Sequence, residues 1–152
     1  MKMTIASALA VATIATGAFA DSHAPSGDAA AGEKLFKKCK SCHTIQDADG
    51  NNVVKGGKTG PNLFGVVGRA AASVEGFKYG SDLVTAGEAG LVWDEESFVA
   101  YVTDPKKFLR AHLENDKAKS KMTFRLKKGG EDVYAFLASV APAPAAEEAA
   151  SE

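Results

Sequence analysis

Residues 39–43 read Cys-Lys-Ser-Cys-His and contain both cysteines of the chain, Cys39 and Cys42. A CxxC pair serves as a redox-active dithiol, as half of a zinc site or as a covalent anchor for haem. A structural zinc site wants four ligands, and here no second cysteine pair exists and His23 and His112 lack a paired spacing. A reactive dithiol wants the N-terminal end of a helix, where the dipole favours a thiolate. This pair instead follows GEKLFKK, at the predicted end of a helix, and no parallel-sheet pattern surrounds it. His43, directly after the second cysteine, completes CxxCH, the attachment signature for c-type haem. Two thioether bonds fix one porphyrin edge along a turn, and the next residue brings its imidazole to the iron.

A low-spin haem wants a sixth ligand, commonly Met or a second His. Residues 1–20 carry one charge, Lys2, then a soft apolar run, then Ala18-Phe19-Ala20. This is the pattern of a secretory leader cleaved after Ala20. The apolar run is too short to span a membrane comfortably. Without the leader, one methionine remains: Met122, in the polar and basic stretch KAKSKMTFRLKK, where a core-filling Met is out of place. His112 competes for the position, but it lies within a predicted helix.

The rest of the chain supplies the frame. At 152 residues it is long enough for one domain, and its 45% hydrophobic content permits a core. A formal charge of -1 argues against a nucleic-acid partner. Helices are expected from Asp28 through AAAGEKLFKKC, from Asp94 through SFVAYV, from Asp104-Pro105 through KKFLRAHLE, and over EDVYAFLASVA. Between 45 and 93 the chain is rich in Gly and shows no strand pattern. Such a long loop suits a domain whose core is completed by a bulky cofactor. The division expected is a leader (1–20), a short segment (21–27), a folded domain (28–141) and a disordered Ala/Pro/Glu tail (142–152).

These residues resemble a class I cytochrome c, of the long periplasmic bacterial subtype that serves respiration or photosynthesis. The resemblance runs through CKSCH, TGPNLFGVVGR, GFKYG, LVWDEESFVAYVTDPKKF, KSKMTF and EDVYAFL. It implies an all-α domain, helices and long loops wrapped around one haem c bound through Cys39 and Cys42. His43 and Met122 are then the iron ligands. Pro61 offers its carbonyl to His43. Arg69, Tyr79 and Trp93 hold the haem propionates, Tyr101 lies near the methionine sulfur, and Phe124 lies at the exposed haem edge. Gly32 and Phe36 of the first helix meet Val133 and Phe136 of the last. Seventeen positions separate Pro105 from Met122, so RAHLENDKAK reads as an insertion, and the proline turn common before that methionine is missing.

The implied function is one-electron transfer by a monomeric periplasmic carrier, not catalysis. The carrier runs between a membrane cytochrome bc complex and an oxidase, a reaction centre or a reductase, without inserting into the membrane. Two readings compete with it: a haem enzyme with an open iron position, and a thiol oxidoreductase. From Pro105 to Lys128, nine basic residues and two acids (Glu114, Asp116) leave a charge of +7. A Lys-rich rim of Lys106, Lys107, Lys121, Arg125, Lys127 and Lys128 is expected to steer the carrier to acidic docking sites.

Overall fold

A computed structural model describes residues 24–141, so the leader and the tail lie outside the described residues. The described chain forms α1 (Ala29–Phe36), β1 (Ile45–Gln46), β2 (Asn52–Val54), α2 (Ser81–Glu88), α3 (Glu95–Thr103), α4 (Pro105–His112) and α5 (Gly130–Val140). Four helices lie where caps and apolar spacing put them. Asp28 accepts the N–H groups of Ala30 and Ala31, Asp94 that of Ser97, and Asp104 that of Lys107. Each carboxylate satisfies amides that have no partner inside their helix. Pro105 occupies the first turn of α4, where its missing N–H costs nothing.

The expected first helix ran on to Cys39, whereas α1 ends at Phe36. Beyond it the ladder tightens: Cys39 N–H bonds Phe36 O at 2.8 Å, and Cys42 N–H bonds Cys39 O at 3.0 Å. These three-residue steps are the usual way a helix end satisfies its last carbonyls. They carry both cysteines in turns rather than in the helix.

The stretch from 45 to 93 holds more structure than its glycines suggest. β1 and β2 pair antiparallel across a turn in which Asp47 accepts the N–H groups of Asp49 and Asn51. α2 starts at Gly80 without a side-chain cap, so nothing local announces it. The expected insertion is folded against α4: Asn115 N–H bonds Arg110 O at 2.9 Å, and Ala118 is fully buried.

α1 crosses α5 at close range. A Cβ on Gly32 would collide with the Asp132 carbonyl and with Phe136, whose ring centroid lies 5.5 Å from that of Phe36. α3 lies against α5 through Phe98 and Tyr134, and the Tyr134 hydroxyl donates to Trp93 O at 3.2 Å. Ser26 bonds Glu95 at the start of α3, which ties the N-terminal strand of chain to the same bundle. Gly32→Val forces the two helices apart. The expected loss is about 3 kcal/mol, the upper end for overpacking, or a fall of roughly 10 °C in Tm. Thermal unfolding followed by circular dichroism checks it, and an unchanged Tm contradicts the close crossing.

Candidate functional site

The helices and loops enclose a cavity of about 540 Å³, within the range of small-molecule and cofactor sites. Every residue expected at the site lines it: Cys39, Cys42, His43, Pro61, Arg69, Tyr79, Trp93, Tyr101, Met122 and Phe124. They come from segments far apart in the chain, which the bundle brings to one place. His112 does not line the cavity. It is exposed and stacks on Phe108, with ring centroids 5.5 Å apart and 13° between planes.

The His43 ring is aimed by the backbone. Its Nδ1 lies 2.8 Å from Pro61 O, which leaves Nε2 as the free coordinating atom. Burial pulls the imidazole pKa below its ordinary value, and the Pro61 carbonyl partly opposes this. The ring is therefore neutral and able to bind a metal at neutral pH. Gly60 lies flat against it: a Cβ there would stand 2.6 Å from Nδ1 and 2.8 Å from Nε2. Gly60 N–H also bonds Cys42 O at 2.8 Å, which joins the cysteine turn to the Pro61 loop.

The two sulfurs differ. The Cys39 thiol is half-buried and pushed up to about 11, first by burial and then by Cys42, while Lys38 pulls the other way. Cys42 is exposed and held below its usual value by hydrogen bonds from Thr59 and Ser41. A half-buried thiol so hard to ionise is a poor attacking group, which leaves Cys42 as the more reactive of the two. Among the described residues, no three His, Cys, Asp or Glu side chains gather as a metal-ligand group, as zinc would need.

Polar side chains mark another part of the wall. The Arg69 guanidinium donates to Phe64 O at 2.7 Å and to Asn62 O at 3.1 Å, which keeps two of its five N–H groups engaged. Burial lowers its pKa, while Tyr79 raises it. The Tyr79 hydroxyl accepts the Val74 N–H at 3.3 Å. Trp93 is buried with its ring 4.9 Å from that of Tyr101. The Tyr101 hydroxyl lies 3.2 Å from Ser120 Oγ, and Ser120 Oγ accepts the Met122 N–H at 3.1 Å. Phe124 is 39% exposed, so the cavity reaches the surface there.

Gly60, Thr59 and Ser120 escaped sequence reasoning as individual residues. The Thr-Gly-Pro triplet at 59–61 carries a faint signal for the first two. Ser120 has none, because its partner Tyr101 is distant in the chain. The basic run is also less uniform than its charge count. Arg125 pairs with Asp104 at 3.2 Å, and Lys121 Nζ donates to Lys78 O at 2.9 Å. Among the described residues, no helix is long and apolar enough to cross a membrane.

The donor set fits haem c. Two sulfurs in one turn, a neutral imidazole aimed by a carbonyl and a thioether face one largely apolar cavity, with an Arg and a Tyr on its wall. No family profile matches the chain. Individual relatives do. The chain is 57% identical to cytochrome c-551 of Roseobacter denitrificans over 92% of its own length and 96% of the relative's. It is 51% identical to cytochrome c-550 of Paracoccus versutus over 100% of this chain and 97% of that one. Among solved structures, ferric cytochrome c-550 from Paracoccus versutus superposes with a TM-score of 0.74 at 56% identity, covering 76% of this chain and 99% of that one. Cytochrome c2 from Rhodobacter capsulatus gives 0.74 and 56%, over 75% and 98%. The chain belongs to the class I cytochromes c of the c2 and c-550 type, electron carriers rather than enzymes, with a single covalently attached haem c.

Proposed function

We propose that this chain is a periplasmic one-electron shuttle whose haem c is held by thioethers to Cys39 and Cys42 and by axial bonds from His43 and Met122. When bound, the haem supplies reversible one-electron chemistry at iron. The protein supplies the rest. Pro61 fixes the His43 ring and its basicity. The apolar wall keeps water out, and a thioether from Met122 favours the reduced state. Arg69, Tyr79 and Trp93 are the partners for the propionates, since a carboxylate taken out of water needs donors. The observation that carries this reading is the convergence of Cys39, Cys42, His43 and Met122 on one cavity, with His112 outside it.

With both axial positions supplied by the chain, the reduced protein is expected to take up no carbon monoxide at neutral pH and to titrate in a single one-electron wave. Rapid carbon monoxide binding would overturn the carrier reading in favour of a haem enzyme. The chain is divided accordingly: residues 1–20 direct export and are removed, and 28–141 form the cytochrome domain. The mature carrier acts as a monomer between a membrane cytochrome bc complex and an oxidase, reaction centre or reductase.

Docking uses the basic residues that flank Phe124 in the chain. Lys106, Lys107, Lys127 and Lys128 are exposed. Lys121 borders the cavity, while Arg125 is partly neutralised by Asp104. Charge reversal at Lys121 and Lys127 together is expected to slow the second-order reaction with the membrane partner by roughly tenfold at low ionic strength, the lower end of electrostatic steering. The variant's rate should also depend less on salt. Stopped-flow kinetics across a salt series checks this. Identical rates and slopes would mean that the run is a solvated face with no role in docking.

A further inference from the structure

The segment that presents Met122 lacks a proline before the methionine, yet every residue from Ala118 to Met122 is pinned. Arg110 Nε donates to Ala118 O at 3.3 Å. Lys119 N–H donates to Asp82 Oδ2 at 3.0 Å. Ser120 Oγ meets the Tyr101 hydroxyl at 3.2 Å and the Met122 N–H at 3.1 Å. Lys121 Nζ reaches Lys78 O at 2.9 Å. Among these partners, Asp82 alone is an anionic acceptor, and it comes from α2, 37 residues earlier in the chain. Its carboxylate is not spent on its own helix, because α2 has no side-chain cap hydrogen bond.

We propose that Asp82 is a positioning residue: its carboxylate holds the Lys119 amide and so sets the path of the loop that brings the Met122 sulfur into the cavity. This rests on Met122 being an iron ligand. The physical case is one of strength and place. A bond from N–H to a carboxylate is about twice as strong as a neutral one. It fixes the backbone itself, whereas the Lys121 contact fixes the end of a flexible, exposed stem. The contact also lies beside the cavity, since Lys78 and Gly80 just before α2 line it together with Lys119 and Lys121. The loop is thereby tied to α2 on one side and to α4, through Arg110, on the other. In this chain a carboxylate does the work of a stiffening proline.

The test uses the haem-loaded chain with Asp82→Ala and Asp82→Asn. Amide hydrogen exchange over Lys119–Met122 reads loop opening, and binding of imidazole to the oxidised protein reads loss of the Met122 bond. Asp82→Ala is expected to speed exchange about tenfold and to tighten apparent imidazole binding about tenfold, the worth of one hydrogen bond to a charged group. Asp82→Asn keeps an acceptor oxygen but makes a bond about half as strong, and should fall between the two, about threefold from wild type by both readouts. Wild-type exchange rates in Asp82→Ala overturn the proposal. So does Asp82→Asn matching Asp82→Ala, because the charge on α2 would then be acting rather than the hydrogen bond. Faster exchange with unchanged imidazole binding supports the latch and instead overturns Met122 as the ligand.

Discussion

Met122→Ala is expected to leave the haem attached and to lower the reduction potential by on the order of 0.2 V, a fraction of the about 0.8 V that axial ligands span. The attachment persists because Cys39, Cys42 and His43 lie in a different segment, tied to the Pro61 loop by Gly60 N–H and by the His43 Nδ1 contact. The potential falls because sulfur favours ferrous iron more than a nitrogen or water ligand does. Lys121 is the nearest nitrogen in sequence and already borders the cavity, so it is the expected substitute, while His112 is held outside on Phe108. Association with partners should change much less, because capture of Lys121 by the iron removes at most one charge of the basic rim. Spectroelectrochemical titration measures the shift. A potential within about 0.03 V of wild type, a small fraction of that span, would remove Met122 from the iron.

The second large effect is expected at Gly60. A Cβ there meets His43 Cε1, Nδ1 and Nε2 at once, and ring atoms cannot give way as the end of a flexible side chain can. Gly60→Val therefore turns the imidazole off Pro61 O or pushes the whole loop outward. Overpacking costs about 1–3 kcal/mol, and losing the ring hydrogen bond adds about 1 kcal/mol. The expected result is a low yield of haem-loaded protein, with His43 misaligned in what forms. Holoprotein yield and Tm report it together. Wild-type values for both would show that the ring has room to move and that its aim is not set by Gly60.

Much of this was legible in the sequence because it is written in local chemistry. Three aspartates at helix starts, Pro105 after Asp104 and the 3.6-residue spacing of Val133, Phe136, Leu137 and Val140 need no tertiary knowledge. CxxCH and a lone Met in a basic loop are likewise local. What stayed hidden depends on contacts between distant segments. α2 begins at an uncapped glycine and buries a single small residue, Ala86, so its pattern is weak before Ala71 and Leu91 pack beside it. The β1–β2 pair is two and three residues long with an irregular register, too short for alternation to show. The end of α1 was overextended by three residues because tightened turns keep helix-like spacing. The path of residues 118–122 before Met122 has no local mark in the sequence, because Arg110, Asp82 and Tyr101 hold it from three separate helices. The charge count over 105–128 could not reveal that Asp104 takes up part of Arg125.

In the proposed carrier, His43 and Met122 of this chain are both ligands of one haem iron. The oxidised absorption spectra of wild type, Met122→Ala and His112→Ala test this ligation most directly, through the weak long-wavelength band that reports a sulfur–iron bond. This band is expected in wild type and in His112→Ala, and its loss is expected in Met122→Ala. A band that survives in Met122→Ala, or a native spectrum destroyed by His112→Ala alone, would contradict it.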